Sequence, residues 1–253
     1  MGVNDNKGPD ESGHKLGPLR LGVTVPLANE ERTVVAFLER VCAQLSPDDR
    51  VFCVLDRSSR DNTKARVEEY HETDRRVTLV WSPENACVVD AYFAGYRAAL
   101  DARCRWILEM DGGFSHLPEQ IPQFVAAMQK GYDFAAGSRF TAGGRFQGRP
   151  HRCFVSRLGG ILANLVLRCR MTDMTSGFEC FTRRAMQRVV DRGVRSRQHF
   201  FQTEIRYMLH DWKWTEIPIR YANPSTRLGT SSLFEALRNL WPVSYTHLRP
   251  HET

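Results

Sequence analysis

Short apolar runs of strand length alternate with segments of helical period through the first half of the chain, and that order leaves few folds open. Leu21-Gly22-Val23-Thr24-Val25 is a strand-sized run closed by Pro26. From Glu30 the apolar positions Val34, Phe37, Leu38, Val41, Cys42 and Leu45 fall on one helical face. Glu30 and Glu31 are expected in the first turn of that helix, where its dipole favours acid. Val51 to Leu55 is the next strand, followed by a polar turn and a helix from about Thr63, and Val77 to Trp81 is a third strand. Ala91, Gly95, Ala98 and Ala99 mark a helix whose small-residue face can approach a sheet closely. Trp106-Ile107-Leu108 runs into Glu109-Met110-Asp111, a helix opens near Pro118, and Phe134-Ala135-Ala136 closes a fifth strand.

This order predicts an α/β fold with a largely parallel sheet and helices on both faces. Ligands of such sheets bind beyond the carboxyl ends of the strands. Acids collect there: Glu30 after the first strand, Asp56 after the second, Asp111 after the fourth. One acid in such a place is as readily a turn-former or a helix cap. Three on one edge point to a site. From about Arg139 the pattern becomes helices and loops with one strand, Thr215 to Ile219, and many arginines. No linker divides the halves, so 18–242 reads as one domain. A polar lead-in at 1–17 precedes it, and a non-periodic tail at 243–253 reads as artefactual.

The formal net charge of +6 suits nucleic acid, anionic lipid or phosphorylated small molecules alike. No helix-turn-helix, finger or aromatic RNA-binding pattern supports nucleic acid. The seven cysteines form no CxxC pair and mostly keep apolar company, as Cys53 does. They read as reduced core residues of a cytoplasmic protein, without disulfides or zinc. No run reaches the roughly 18 apolar residues of a membrane span.

Pro26-Leu27-Ala28-Asn29-Glu30, read with Leu55-Asp56-Arg57-Ser58-Ser59-Arg60-Asp61-Asn62-Thr63, resembles the Pro-x-x-Asn-Glu opening and the Asp-Asp-x-Ser-x-Asp-x-Thr segment of family 2 glycosyltransferases. The run from Asp111-Gly112-Gly113 to His116-Leu117-Pro118-Glu119 resembles Asp-x-Asp-x-x-His-x-Pro-Glu. Gly137-Ser138-Arg139-Phe140 with Gly143-Gly144 resembles the signature of the polyprenol-phosphate mannosyltransferase branch. Asp173 with Thr175-Ser176-Gly177-Phe178, Glu216-Ile217-Pro218-Ile219 and Arg227-Leu228-Gly229-Thr230-Ser231 follow in order.

The resemblance implies a GT-A fold, a GDP- or UDP-linked sugar donor, a divalent metal (Mg²⁺ or Mn²⁺) and a polyprenyl-phosphate acceptor, with peripheral contact at the cytoplasmic face of a membrane. It implies donor contacts from Pro26, Asn29, Glu30, Asp56, Asp111 and Arg227, metal ligation by Asp111, and acceptor-phosphate contacts from Arg139 and Arg152. Asp111, Arg139 and Arg152 are thus the expected catalytic set. The departures are Gly113 for the second acid of Asp-x-Asp, Arg57 for the second acid of the paired-Asp segment, Ala28 for an aromatic, Cys87-Val88-Val89 for a glycine-rich loop, and Ser232 for a lysine. Mg²⁺ needs only one or two carboxylates beside substrate phosphates, so Asp111 alone can suffice, with Glu109 either sharing the ion or serving as a hydrogen-bonded strand carboxylate.

A sugar hydroxyl needs a general base, for which His116 and Glu204 stand at motif positions, whereas a lipid phosphate is already ionised and needs cations. Three readings follow: hexose transfer to a polyprenyl phosphate, transfer to a hydroxyl acceptor, or a weakly active nucleotide-sugar-binding relative.

Overall fold

The computed structural model describes residues 20–148 and 150–222, with the side chains of 150–152 excepted. The side chain of Arg152, the motif at 227–231 with Arg227, Ser232 and both termini therefore lie outside the described residues.

The strands are β1 (Leu21–Pro26), β2 (Arg50–Leu55), β3 (Val77–Trp81), β4 (Trp106–Glu109), β5 (Phe134–Ser138), β6 (Arg145–Phe146), β7 (Glu179–Thr182), β8 (Trp214–Pro218) and β9 (Arg220–Tyr221). The helices are α1 (Val34–Cys42), α2 (Thr63–Thr73), α3 (Val88–Asp101), α4 (Ile121–Gln129), α5 (Pro150–Leu167), α6 (Arg183–Arg192) and α7 (Phe201–Met208). Seven strands form the main sheet in the order β3-β2-β1-β4-β7-β5-β8, while β6 and β9 make a small separate pair. β1 to β4 pair in parallel, as do β5 and β8.

The alternation of side chains along each strand divides the core into two layers. Val51, Cys53 and Leu55 of β2 face a layer built with α1 and α4, whereas Phe52 faces the layer built with α3, α6 and α7. In β4, Leu108 and Ile107 divide in the same way. The small-residue face of α3 does approach the sheet closely. A Cβ at Gly95 would stand 3.0 Å from the Cβ of Thr24 on β1.

Two features depart from the sequence expectation. The largely parallel sheet holds, but it includes β7, in a stretch expected to be helix and loop, running antiparallel between β4 and β5. This strand places Glu179 opposite Glu109, inside the sheet. The second departure concerns Glu30 and Glu31, which precede α1 in a turn instead of forming its first turn. Their amides are drawn to the start of α2 and the loop before it: Glu30 N donates to Thr63 Oγ1 at 2.7 Å and Glu31 N to Asp61 Oδ2 at 3.0 Å.

Among the described residues no helix is long and apolar enough to cross a membrane.

Candidate active site

The carboxyl ends of β1, β2 and β4 meet on one edge of the sheet, as parallel pairing requires. Pro26 ends β1 opposite Val54 of β2, and Leu27 N donates to Val54 O at 2.9 Å. Asn29 then turns the chain with a left-handed φ of 60°, which Asn tolerates better than most residues. Its side chain locks the neighbouring loop: Nδ2 donates to Ser58 O at 3.2 Å and Oδ1 accepts from Arg60 N at 2.9 Å. Asn29 thus shapes the loop that carries Asp56. Asp56 Oδ1 accepts from Ser58 N at 2.8 Å, which fixes the carboxylate at the end of β2.

Asp111 lies two residues beyond β4, with its side chain 36% exposed. Its backbone N donates to His116 Nδ1 at 3.0 Å, and its Oδ1 accepts from the Tyr92 hydroxyl. Burial, with the Asp111 and Glu109 carboxylates beside it, raises the Tyr92 phenol well above its ordinary range, so Tyr92 remains a donor. His116 is fully buried and stacks on Phe178 with ring centroids 4.9 Å apart. Burial lowers its pKa, and accepting the Asp111 amide fixes its proton on Nε2, which is itself buried. His116 is therefore a neutral residue that shapes the turn. Neither of its nitrogens is open to a substrate hydroxyl.

The tight turn after Asp111 explains its glycines. A Cβ at Gly112 would lie 2.5 Å from Leu27 Cδ2. Gly113 has φ +74°, and a Cβ there would stand 2.9 Å from Glu30 Oε1. The space that the missing second acid would fill is occupied by the Glu30 carboxylate, which also accepts from Thr33 Oγ1.

Behind Asp111 lies a closed polar layer. Glu109 is fully buried, hydrogen-bonded to Tyr96, and faces Glu179 across the β4–β7 ladder. Burial, reinforced by Glu179, pushes the Glu109 pKa well above the usual carboxylate range. Glu179 is the counter-ion of Arg206, also fully buried, whose Nη2 donates to Ser176 O at 2.9 Å and Gly137 O at 3.3 Å. Glu109 is thus the hydrogen-bonded strand carboxylate. Glu204 is closed as well, accepting from Arg195 N at 2.9 Å and from Ser196 N and Oγ at 3.2 and 3.0 Å.

Arg139 follows the last residue of β5 and is 9% exposed. Its Nε and Nη2 grip the two carboxylate oxygens of Asp173 at 2.7 and 2.8 Å, and Nη2 also reaches Thr175 Oγ1 and Ser156 Oγ. Burial would raise Asp173, yet the Arg139 guanidinium holds it at about 2. The same guanidinium lies 5.5 Å from the ring of Tyr221, which in turn lies 5.3 Å from the His116 ring. Two aromatic rings therefore connect Arg139 to the Asp111 turn. Sequence does not mark Tyr92 or Tyr221 as site residues, and Asp173 stands there only as a member of the motif with Thr175-Ser176-Gly177-Phe178.

α5 borders Arg139 through Ser156 and carries its apolar side outward. Phe154, Val155, Leu158, Ile161, Leu162 and Leu165 are all exposed and recur at helical spacing. The opposite face buries Ala163 and Leu167 and donates from Asn164 Nδ2 to Met171 O.

Among the described residues no group of three His, Cys, Asp or Glu is placed to hold a metal ion. A divalent ion shared between Asp111 and the oxygens of a diphosphate nonetheless fits the donor set, because Asp111 is partly exposed and only its Oδ1 is bound by Tyr92. A surface hollow lined by Leu45, Pro47, Arg50, Asp74, Arg75 and Arg76 lies at the amino ends of β2 and β3, away from these residues; Arg76 pairs with Asp74, Arg75 with Glu72, and Arg50 donates to Pro47 O and Asp49 O.

Curated relatives share this chain's sequence at low identity. It is 28% identical over 218 residues to a polyprenol monophosphomannose synthase of Mycolicibacterium smegmatis, covering 83% of this chain and 80% of the relative. It is 25% identical to an undecaprenyl-phosphate mannosyltransferase of Micrococcus luteus, covering 85% and 88%. A dolichol-phosphate mannosyltransferase of Pyrococcus furiosus is 23% identical, with 88% of this chain matched to 63% of that one. Among solved structures, glucosyl-3-phosphoglycerate synthase from Mycobacterium tuberculosis, in complex with Mn²⁺, UDP and phosphoglyceric acid, superposes with a TM-score of 0.67 at 14% identity, covering 93% of this chain and 81% of that one. That likeness shows the GT-A fold. The model of the family described as glycosyl transferase family 2 matches residues 23–190, well over half of the chain, and with the acidic sheet edge built on that fold it establishes that this chain belongs to glycosyl transferase family 2 and is a glycosyltransferase.

Proposed function

We propose that this glycosyltransferase moves a hexose, mannose or glucose, from a GDP- or UDP-linked donor to a polyprenyl phosphate. The observation that carries this reading is the closure of the candidate bases. His116 is buried with its pKa lowered and neither nitrogen open, and Glu204 is committed to the amides of 195 and 196. A hydroxyl acceptor needs a general base, and neither candidate that the motifs offer, His116 or Glu204, is open to act as one; an ionised phosphate needs none. In the proposed step an acceptor phosphate oxygen attacks the anomeric carbon from the face opposite the diphosphate. The bond from that carbon to the diphosphate breaks, its electron pair leaves with the diphosphate, and no proton moves.

The chain's own residues divide the work. Pro26, Glu30, Asp56 and Arg227 contact the nucleoside, with Asn29 holding the loop beneath it. Asp111 faces the diphosphate, and a divalent cation bound there would neutralise the charge that develops as the sugar departs. Arg152 meets the acceptor phosphate. Arg139, closed on Asp173, fixes the loop and helix beside that phosphate. The exposed apolar face of α5 supports a lipid acceptor and peripheral contact with the cytoplasmic face of a membrane, because six apolar side chains there lack a buried partner. The names of the relatives support the same acceptor class.

The test supplies GDP-mannose, GDP-glucose, UDP-glucose and UDP-mannose, each with Mn²⁺ and a short polyprenyl phosphate, and measures the glycosylated lipid. The expected result is transfer from one nucleotide class. Transfer to a glycan or small-molecule hydroxyl, with none to the lipid phosphate, refutes the acceptor assignment.

A further inference from the structure

From the packing behind the site we infer that Tyr92 is a positioning residue for the glycosyl-transfer reaction: its hydroxyl holds Asp111 in the orientation that receives the cation and diphosphate. The inference rests on the reading of Asp111 as the protein's ligand to that cation.

Asp111 has to do more here than an acid of its motif with a second carboxylate beside it. Gly113 offers no side chain, and one placed there would strain a left-handed backbone and have to displace the tip of Glu30. A lone carboxylate with two freely rotating oxygens is a poor site, because ordering it on binding costs side-chain entropy. Tyr92 removes that freedom before any ligand arrives. Its hydroxyl binds Oδ1, and the Asp111 backbone is anchored separately by His116. The other oxygen, Oδ2, lies 3.9 Å from His116 Nδ1, beyond hydrogen-bond range.

Tyr92 is itself held rigidly. It is 5% exposed, its ring lies 5.0 Å from Phe201 and 6.3 Å from Tyr96, and it sits on α3, whose backbone is pressed against β1 at Gly95. The hydroxyl is therefore a fixed point carried by two packed helices, α3 and α7, and not by a loop. Tyr96, one turn further along, provides an internal contrast. It has the same chemistry and similar packing, but its hydroxyl meets Glu109 in the closed layer.

The experiment titrates Mn²⁺ into the full chain by electron paramagnetic resonance, with GDP or UDP present. Tyr92→Phe keeps the ring and removes only the hydroxyl, and should weaken Mn²⁺ binding about tenfold, as expected for one hydrogen bond to a charged group. Binding of the nucleotide without metal should be unchanged. Tyr96→Phe should leave Mn²⁺ affinity at the parental value. Asp111→Asn should lose binding. Parental affinity in Tyr92→Phe, or an equal loss in Tyr96→Phe, overturns the role of Tyr92. Parental affinity in Asp111→Asn overturns instead the reading of Asp111 on which it rests.

Discussion

Replacing Arg139 with alanine separates a structural arginine from a substrate-binding one. Arg139 and Asp173 form a buried, two-pronged ion pair, with side-chain exposures of 8% and 0%. Removing one partner of such a pair leaves an uncompensated buried charge, which costs about 3–5 kcal/mol. In a domain of this size each kcal/mol lowers the melting temperature by about 2–4 °C, so Arg139→Ala should melt on the order of 10 °C below the parent.

The dependence on pH gives the prediction its sign. In the parent, Asp173 titrates at about 2, below its unfolded value of 3.8. The depressed value contributes stability that is present above pH 3.8 and is lost as the pH falls towards 2. A shift of that size corresponds to roughly 2.5 kcal/mol. Without the guanidinium, burial acts on Asp173 against only the amides of 139 and 175 and the charge of Arg206, so its pKa rises, the carboxyl takes a proton more readily on acidification, and the penalty falls. The deficit of Arg139→Ala relative to the parent should therefore be largest near pH 7.5 and clearly smaller near pH 5. Urea unfolding followed by circular dichroism at the two pH values measures it, and taking the difference between the proteins cancels the groups they share. A variant that melts within about 2 °C of the parent, or a deficit independent of pH, refutes the buried pair and returns Arg139 to the substrate.

Asp111→Asn should abolish metal-dependent donor binding in a thermal-shift titration while leaving the ligand-free melting temperature within about 2 °C, because the side chain is partly exposed. Restoring the family acid with Gly113→Asp should lower stability by about 1–3 kcal/mol and fail to tighten Mn²⁺, since its Cβ must enter a left-handed position 2.9 Å from Glu30 Oε1. A tighter Mn²⁺ isotherm in that variant would show that Glu30 yields freely. Arg152→Ala should cut transfer to a short polyprenyl phosphate about ten- to hundredfold while slow donor hydrolysis survives, and Arg152→Lys should recover only part of the loss. An equal fall in hydrolysis would place Arg152 on the donor.

What was legible in the sequence follows the range of the interactions involved. Strands β1 to β5 and the small-residue face of α3 could be read locally, because burial on one or both faces imposes a period that a short window shows. β7 could not. Four residues beginning with Glu179 do not look like a central strand, and only the pairing with Arg206, 27 residues away, makes a glutamate acceptable there. Glu30 and Glu31 misled for a related reason: their helix-start pattern is sound, but Asp61 on the next loop and Thr63 at the start of α2 capture their amides first. The site shows the same division. Asp111 stood out because the end of a strand is a place in the sequence as well as in space. Arg139 was visible as an arginine, yet its state is decided by Asp173, 34 residues on, and a motif cannot tell a cation that awaits a phosphate from one already neutralised. Tyr92 was invisible because an aromatic residue on a buried helical face is ordinarily core. Its ring does serve the core, and only the hydroxyl, reaching 19 residues along the chain to Asp111, serves the site. A single polar atom at the rim of an apolar side chain leaves no periodic trace, so residues of this kind are found by asking where each buried hydroxyl of the folded chain points.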